Sequence, residues 1–268
     1  MLLLCVSAVS PVSAQRDAVS GVHSAEVRAH QYVESQDWDK AYINFAEAAE
    51  AGSPTAMAWL GMLYEEGRGV VASDVLAVQW YTRALEAGAD HLALKLGWLY
   101  LTGTEAVRDR ALSEYWFEYG IERGNNDAMV ALSSVLIADA QGGKGVERVE
   151  QASEWLLTAH ESGHPVAKFF LARLYLEGIG EHPVDYALAW HYARLGAEEG
   201  HPQMQGWLAY IYKEGLGRQA DPILAAKWAM LATAGGDPLG SQLLAELQQG
   251  LDDDALLAAR ERAMAWAD

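Results

Sequence analysis

Residues 53–88 read Ser53-Pro-Thr-Ala-Met-Ala-Trp-Leu-Gly-Met-Leu-Tyr64, then Glu65-Glu-Gly-Arg-Gly-Val-Val-Ala-Ser-Asp74, then Val75-Leu-Ala-Val-Gln-Trp-Tyr-Thr-Arg-Ala-Leu-Glu-Ala-Gly88. Ala56, Leu60, Leu63 and Tyr64 fall at i, i+4, i+7 and i+8, one face of a helix. Gly67 and Gly69 break that pattern and supply a turn. Ala77, Trp80, Tyr81, Ala84 and Leu85 then mark the face of a second helix, which Gly88 ends. The stretch is a helix hairpin: helix A, a glycine loop, helix B.

The same reading repeats along the chain. Trp80, Trp116, Trp155, Trp190 and Trp228 recur at near-constant intervals, each followed by a glycine: Gly88, Gly124, Gly163, Gly200, Gly236. A period of this length marks a solenoid, in which each unit buries its apolar face only by stacking on its neighbours. The helix-A leucine recurs as Leu96, Leu132, Leu171 and Leu208. The small residue after it is Gly61, Gly97, Ser133, Ala172 or Ala209 and lets helix B approach closely. The tyrosine recurs as Tyr100, Tyr175 and Tyr212, and the loop glycine as Gly103, Gly178 and Gly215. A helix-B alanine recurs as Ala152, Ala187 and Ala225, with Ser113 in its place once. Unit 125–163 departs most: Leu136 replaces the tyrosine and the Gln141–Gly145 loop is longer. Unit 164–200 carries two more residues after Trp190, which predicts a longer or bulged helix B.

The pattern A-x-x-x-L-G-x-x-Y-x-x-G-x-G followed by A-x-x-W-Y-x-x-A-x-x-x-G, met nearly position for position from Ala56 to Gly88, resembles the Sel1-like repeat, a relative of the tetratricopeptide repeat. The resemblance covers roughly residues 53–236 in five units, 53–88, 89–124, 125–163, 164–200 and 201–236. It implies an all-α fold, a right-handed α-solenoid whose concave surface is made mainly by A helices, and a role as adaptor or assembly scaffold, often in bacterial envelopes or signalling. A cysteine-rich subset of similar proteins carries a disulfide in each repeat. This chain departs from it, so the penicillin-binding activity suggested there does not carry over. Residues 15–52 read as an N-terminal capping hairpin and residues 237–268 as a C-terminal one, with Asp252 at the N-cap of the last helix.

Composition narrows the function. Apolar residues make up 51% and charged residues 21%, the values of a globular chain. The formal net charge of −18 repels phosphate backbones and anionic lipid heads, so neither nucleic acid nor a membrane surface is an expected partner. The single cysteine, Cys5, lies in Met1–Ala14, an apolar run ending Val-Ser-Ala. It reads as a short signal peptide that lacks a basic n-region, with a lipid anchor at Cys5 as the alternative. The expected location is periplasmic or secreted, the alternative cytoplasmic. No other run approaches the length of a membrane span.

The five periodic tryptophans read as core. Aromatics that the repeat does not require are the binding candidates, because they vary from copy to copy. Before the helix-A leucine stand Trp59, Lys95, Ala131, Phe170 and Trp207. Two positions after it stand Met62, Trp98, Ser134, Arg173 and Tyr210. Trp59, Trp98, Phe170, Trp207, Tyr210 and Arg173 are therefore the expected partner-binding residues, since aromatics and Arg dominate interface hot spots. The expected partner is a protein or peptide, basic by charge complementarity. A peptidoglycan or glycan binder using the same rings as stacking platforms is the alternative. There is no phosphate-binding loop, H-E-x-x-H or C-x-x-C, and no nucleophile is placed beside a base. No catalytic residue, cofactor or metal is expected. His160, His164 and His201 read as repeat-junction residues.

Overall fold

The computed structural model describes the backbone of residues 11–267 and the side chains of residues 21–266. Residues 1–10, with Cys5 and most of the expected signal peptide, lie outside the described residues. Fourteen α-helices and two short 3-10 turns make up the described chain, with no strand among the described residues. The chain divides into two compact units, one up to Gly124 and one from Asn125.

The first unit contains α1 (Pro11–Glu34), α2 (Trp38–Glu50), α3 (Pro54–Glu66), α4 (Asp74–Glu86), α5 (Ala93–Thr102) and α6 (Arg110–Glu122). These pack as the hairpins α1/α2, α3/α4 and α5/α6, each stacked on the next. Ala56, Leu60 and Leu63 of α3 and Ala77 and Ala84 of α4 are fully buried, as their spacing predicts. The glycine between the helices is required sterically: a Cβ on Gly61 would lie 2.6 Å from the Tyr81 ring, and one on Gly97 would lie 2.5 Å from the Phe117 ring.

The second unit contains α7 (Asn126–Gln141), α8 (Val149–Glu161), α9 (Ala167–Glu177), α10 (Tyr186–Glu198), α11 (Pro202–Glu214), α12 (Pro222–Ala234), α13 (Pro238–Gly250) and α14 (Asp253–Ala267). The hairpins are α7/α8, α9/α10 and α11/α12. In the departing unit, Ser133 takes the place of the contact glycine and its hydroxyl donates across to the Ala152 carbonyl at 3.0 Å. The last two helices both pack on α12, and Trp266 meets the Trp228 ring edge-on at 5.9 Å. Asp252 caps α14 by accepting from the Ala255 amide at 2.9 Å.

Two expectations are corrected. Helix α10 is neither longer nor bulged; it has 13 residues, as have α4, α6, α8 and α12. The constant is the distance from N-cap to terminal glycine: Ser73 to Gly88, Asp109 to Gly124, Arg148 to Gly163, Asp185 to Gly200 and Asp221 to Gly236 are each fifteen residues. Aligned by the caps, the equivalent of Trp80, Trp116, Trp155 and Trp228 is Tyr192, and the helix-B alanine is Ala189 in place of Ala187. Trp190 stands two residues before Tyr192, about 200° around the helix. Most of the periodic tryptophans are also not the core of their hairpins. Trp228 is buried, but Trp80, Trp116 and Trp155 are half-buried, and in those three hairpins the next residue fills the interior: Tyr81, Phe117 and Leu156.

Candidate functional site

In the first unit the chain builds a groove of about 460 Å³ between α3 and α5. Ser53 starts α3, accepting from the Ala56 amide at 3.0 Å, and Pro54 sets the first turn. Gly67, at φ 68, stops it. This fixes Leu60 inward and leaves Trp59, one residue earlier, at the edge of the buried stripe. Trp59 stacks on Phe45 with centroids 5.1 Å apart and rings 6° from parallel, and His30 meets it edge-on at 5.2 Å. Helix α5 supplies Trp98, which packs edge-on against Phe117 at 5.4 Å and stays 38% exposed. Met62, Leu94 and Tyr81 complete the apolar wall.

One rim of the groove carries two ion pairs. Glu65 accepts the Tyr81 hydroxyl at 2.9 Å on one oxygen and the Lys95 ammonium at 2.7 Å on the other. Burial, and then the charge of Glu65, push the Tyr81 hydroxyl far above the ordinary phenol range, so it remains a donor. Glu66 itself lines the groove and pairs with Arg68 at 2.7 Å. The arrangement is an apolar slot with paired carboxylates at its edge, suited to a large apolar side chain.

The second unit does not gather its candidates in the same way. Trp207 is 8% exposed and tilts against Phe169 at 4.9 Å, so it is packing between α9 and α11 and not an open anchor. Its expected place on a free surface is corrected by that burial. Phe170 is half-buried and meets Phe169 edge-on at 5.4 Å. Arg173 is held one turn along α9 by Glu177 at 3.3 Å. Tyr210 is half-buried on α11.

Of the six candidates, the structure brings together Trp59 and Trp98 in one groove and links Phe170 to Trp207 through Phe169. Leu94 and Phe169 were not singled out from the sequence. A signal existed, because both occupy the position two before the helix-A leucine, which also varies between copies: Ala58, Leu94, Val130, Phe169 and Gly206. Tyr81 stands at a position that also varies, with Phe117, Leu156, Ala193 and Ala229 in the other copies.

The stacked helix hairpins with their glycine-closed helix ends define an α-solenoid. The Sel1 repeat profile matches residues 54–88, 92–125, 165–201 and 202–237, more than half of the chain. The chain belongs to the Sel1 repeat family, whose members generally serve as protein-interaction scaffolds. Hairpin α7/α8, where Ser133 and Leu136 replace repeat residues, falls between the matched segments. Among solved structures, the chain is similar to a protective antigen of uropathogenic Escherichia coli strains displaying an SLR fold. That match has 26% identity and a TM-score of 0.72, and covers 95% of this chain and 54% of that one. The chain thus spans about half the length of that antigen. A Sel1 repeat protein from Oxalobacter formigenes is similar at 25% identity with a TM-score of 0.62, over 88% of this chain and 98% of that one. No curated protein sequence matches the chain. Among the described residues, no helix is long and apolar enough to cross a membrane.

Proposed function

We propose that the protein is a non-enzymatic scaffold that binds a protein or peptide partner on its helix-A surface, with the α3/α5 groove as the principal anchor site. The observation that carries this reading is the pairing of Trp59 and Trp98, two rings the repeat does not demand, across one apolar groove. Trp98 and Met62 cover the inserted side chain, and Glu65 and Glu66 attract a flanking Lys or Arg. The chain's net charge of −18 favours the same basic segment over long range. In this reading the protein acts in the periplasm or outside the cell, reached through the apolar leader at its N-terminus.

The test is selection from a displayed random-peptide library on the full chain, with Trp98→Ala as counter-target. The expected winners carry an aromatic or aliphatic residue next to Lys or Arg, and bind Trp98→Ala at least about tenfold more weakly while its melting temperature stays near that of the parent. Winners that bind both proteins equally would remove the groove from the reading. The exposed face of Trp98 is also the shape of a sugar-stacking platform. Fluorescence quenching by peptidoglycan fragments, without any by the selected peptides, would favour glycan binding.

A further inference from the structure

Three of the four buried side-chain donors that have no acceptor among the described residues occur together in the second unit: Trp190 Nε1, Arg194 Nε and Arg218 Nε. They are gathered by a stack. The Arg218 guanidinium lies 4.3 Å from the Trp190 ring centroid and 4.5 Å from that of Tyr212, and Arg194 flanks the same indole at 5.2 Å. Arg194 is neutralised by Glu198 at 2.8 Å. Arg218 has no ion-pair partner among the described residues. That is not for want of acids, since the chain has 37 Asp and Glu against 19 Lys and Arg. The acids near it in sequence are engaged elsewhere. Glu214 pairs with Lys213 at 3.0 Å, and Asp221 caps α12 by accepting from the Leu224 amide at 2.9 Å. Asp185, at the start of α10, accepts from Ala187 and Leu188.

Tyr212 is the repeat tyrosine, but neither Arg218 nor Trp190 is demanded by the fold. Arg218 follows the second loop glycine, where the other copies have Val70 and Glu181. Trp190 lies off the repeat position that Tyr192 fills. Two copy-specific residues thus meet on the wall of a cavity of about 510 Å³, which Ala187, Leu188 and His191 also line. Both rings hold the guanidinium carbon within 4.5 Å of their centroids, and a planar guanidinium can receive a carboxylate through two parallel hydrogen bonds. Orphaned buried donors cost free energy until they are satisfied, and every one of these is a donor.

We propose that Arg218, held between Trp190 and Tyr212, is a receptor for a carboxylate carried by a partner peptide, with an apolar neighbour of that carboxylate lying on Leu188 and Trp190. The acidic balance of the chain restricts the ligand to an isolated carboxylate in a segment that is otherwise neutral or basic, because a polyanion would be repelled before it arrived. This site is separate in sequence and chemistry from the α3/α5 groove and stands or falls without it.

The test follows the Arg218 Nε–H and Trp190 indole N–H resonances of the full chain in proton–nitrogen correlation spectra. Four probes are titrated: acetyl-Leu-Glu-amide, acetyl-leucine with its free carboxylate, acetyl-Leu-Gln-amide and inorganic phosphate. Either carboxylate probe is expected to shift both signals saturably. The first locates the source in an acidic side chain and the second in a chain terminus. The glutamine probe should leave both signals in place. Arg218→Gln should weaken the response at least about tenfold, the loss expected for hydrogen bonds to a charged group. Arg218→Lys keeps the charge without the fork and should bind at an intermediate level. Should Arg218→Gln melt early, Arg218→Lys and Trp190→Phe carry the comparison. Equal shifts from the glutamine probe, saturation by phosphate at lower concentration than by either carboxylate, unchanged binding by the Arg218 variants, or no shift with any probe would each overturn the proposal.

Discussion

A Cβ on Gly97 would stand 2.5 Å from two atoms of the Phe117 ring, and Phe117 is fully buried between α5 and α6. Gly97→Ala therefore sets a helix-propensity gain of up to about 1 kcal/mol against overpacking of about 1–3 kcal/mol. The expected outcome is net destabilisation, read as a lower urea midpoint with unchanged slope; a higher midpoint would show that the ring yields freely. The same scale separates two tryptophans that look alike in the sequence. Trp207 is buried against Phe169, so Trp207→Ala should cost about 3–5 kcal/mol. Trp98 is 38% exposed and loses chiefly its edge-on contact with Phe117, about 1 kcal/mol. Equilibrium unfolding of the two variants checks the contrast, and similar losses in both would contradict the burial seen here. The variable columns beside the helix-A leucine thus find aromatics that the repeat does not require. They do not separate an open ring from one facing its neighbour hairpin, because that depends on what the next copy brings across. Trp207 meets Phe169, whereas Trp98 has open groove on one side.

At the scale of the element, the hairpin is legible because cap, apolar stripe and terminal glycine each leave a local mark. Ser73, Asp109, Asp185 and Asp221 all accept from backbone amides in the first turn of their helices, and Asp221→Ala should cost about 1 kcal/mol in equilibrium unfolding by freeing the Leu224 amide. Reading the register from the most conspicuous side chain gave α10 two residues too many. Reading it from cap to glycine removes them, since helix length is set by its ends, and a ring can move half a turn without changing that length. Junctions between hairpins leave weaker marks. Lys168 of α9 is buried, and its ammonium bonds Glu199 at the end of α10, a pairing 31 residues apart in sequence. That hydrogen bond holds the Glu199 carboxyl below the ordinary glutamate range, with the His201 side adding a smaller push the same way. A carboxyl lowered on folding stabilises the native state fully above its unfolded value, and that stability is lost as pH falls through the folded value. The melting temperature of the parent should therefore exceed that of Lys168→Met at neutral pH, and the gap should close below the carboxylate range. A gap that stays constant through acid pH would mean the pair contributes by packing alone.

Across the whole molecule the charge imbalance acts on anything that approaches, while the groove acts only on what has arrived. These two effects separate in kinetics. The field of 37 acidic against 19 basic residues reaches beyond contact distance at low salt, where the Debye length is about 30 Å, and is confined to about 8 Å at physiological ionic strength. Association of a selected basic peptide should slow by about tenfold or more across that range, as steered encounters do. Dissociation breaks the contacts with Trp98, Met62 and Trp59, which are apolar, and should change little with salt. Trp98→Ala should show the converse pattern: the same salt-dependent association, with dissociation accelerated. Stopped-flow or surface-based kinetics on the full chain, with the parent peptide and a version whose Lys and Arg are replaced by Gln, distinguishes the two contributions. The neutral version should associate at a rate nearly independent of salt. If instead salt accelerates dissociation of the basic peptide and leaves association alone, the carboxylates are contact partners within the bound complex. Glu65 and Glu66 would then be the residues to replace next.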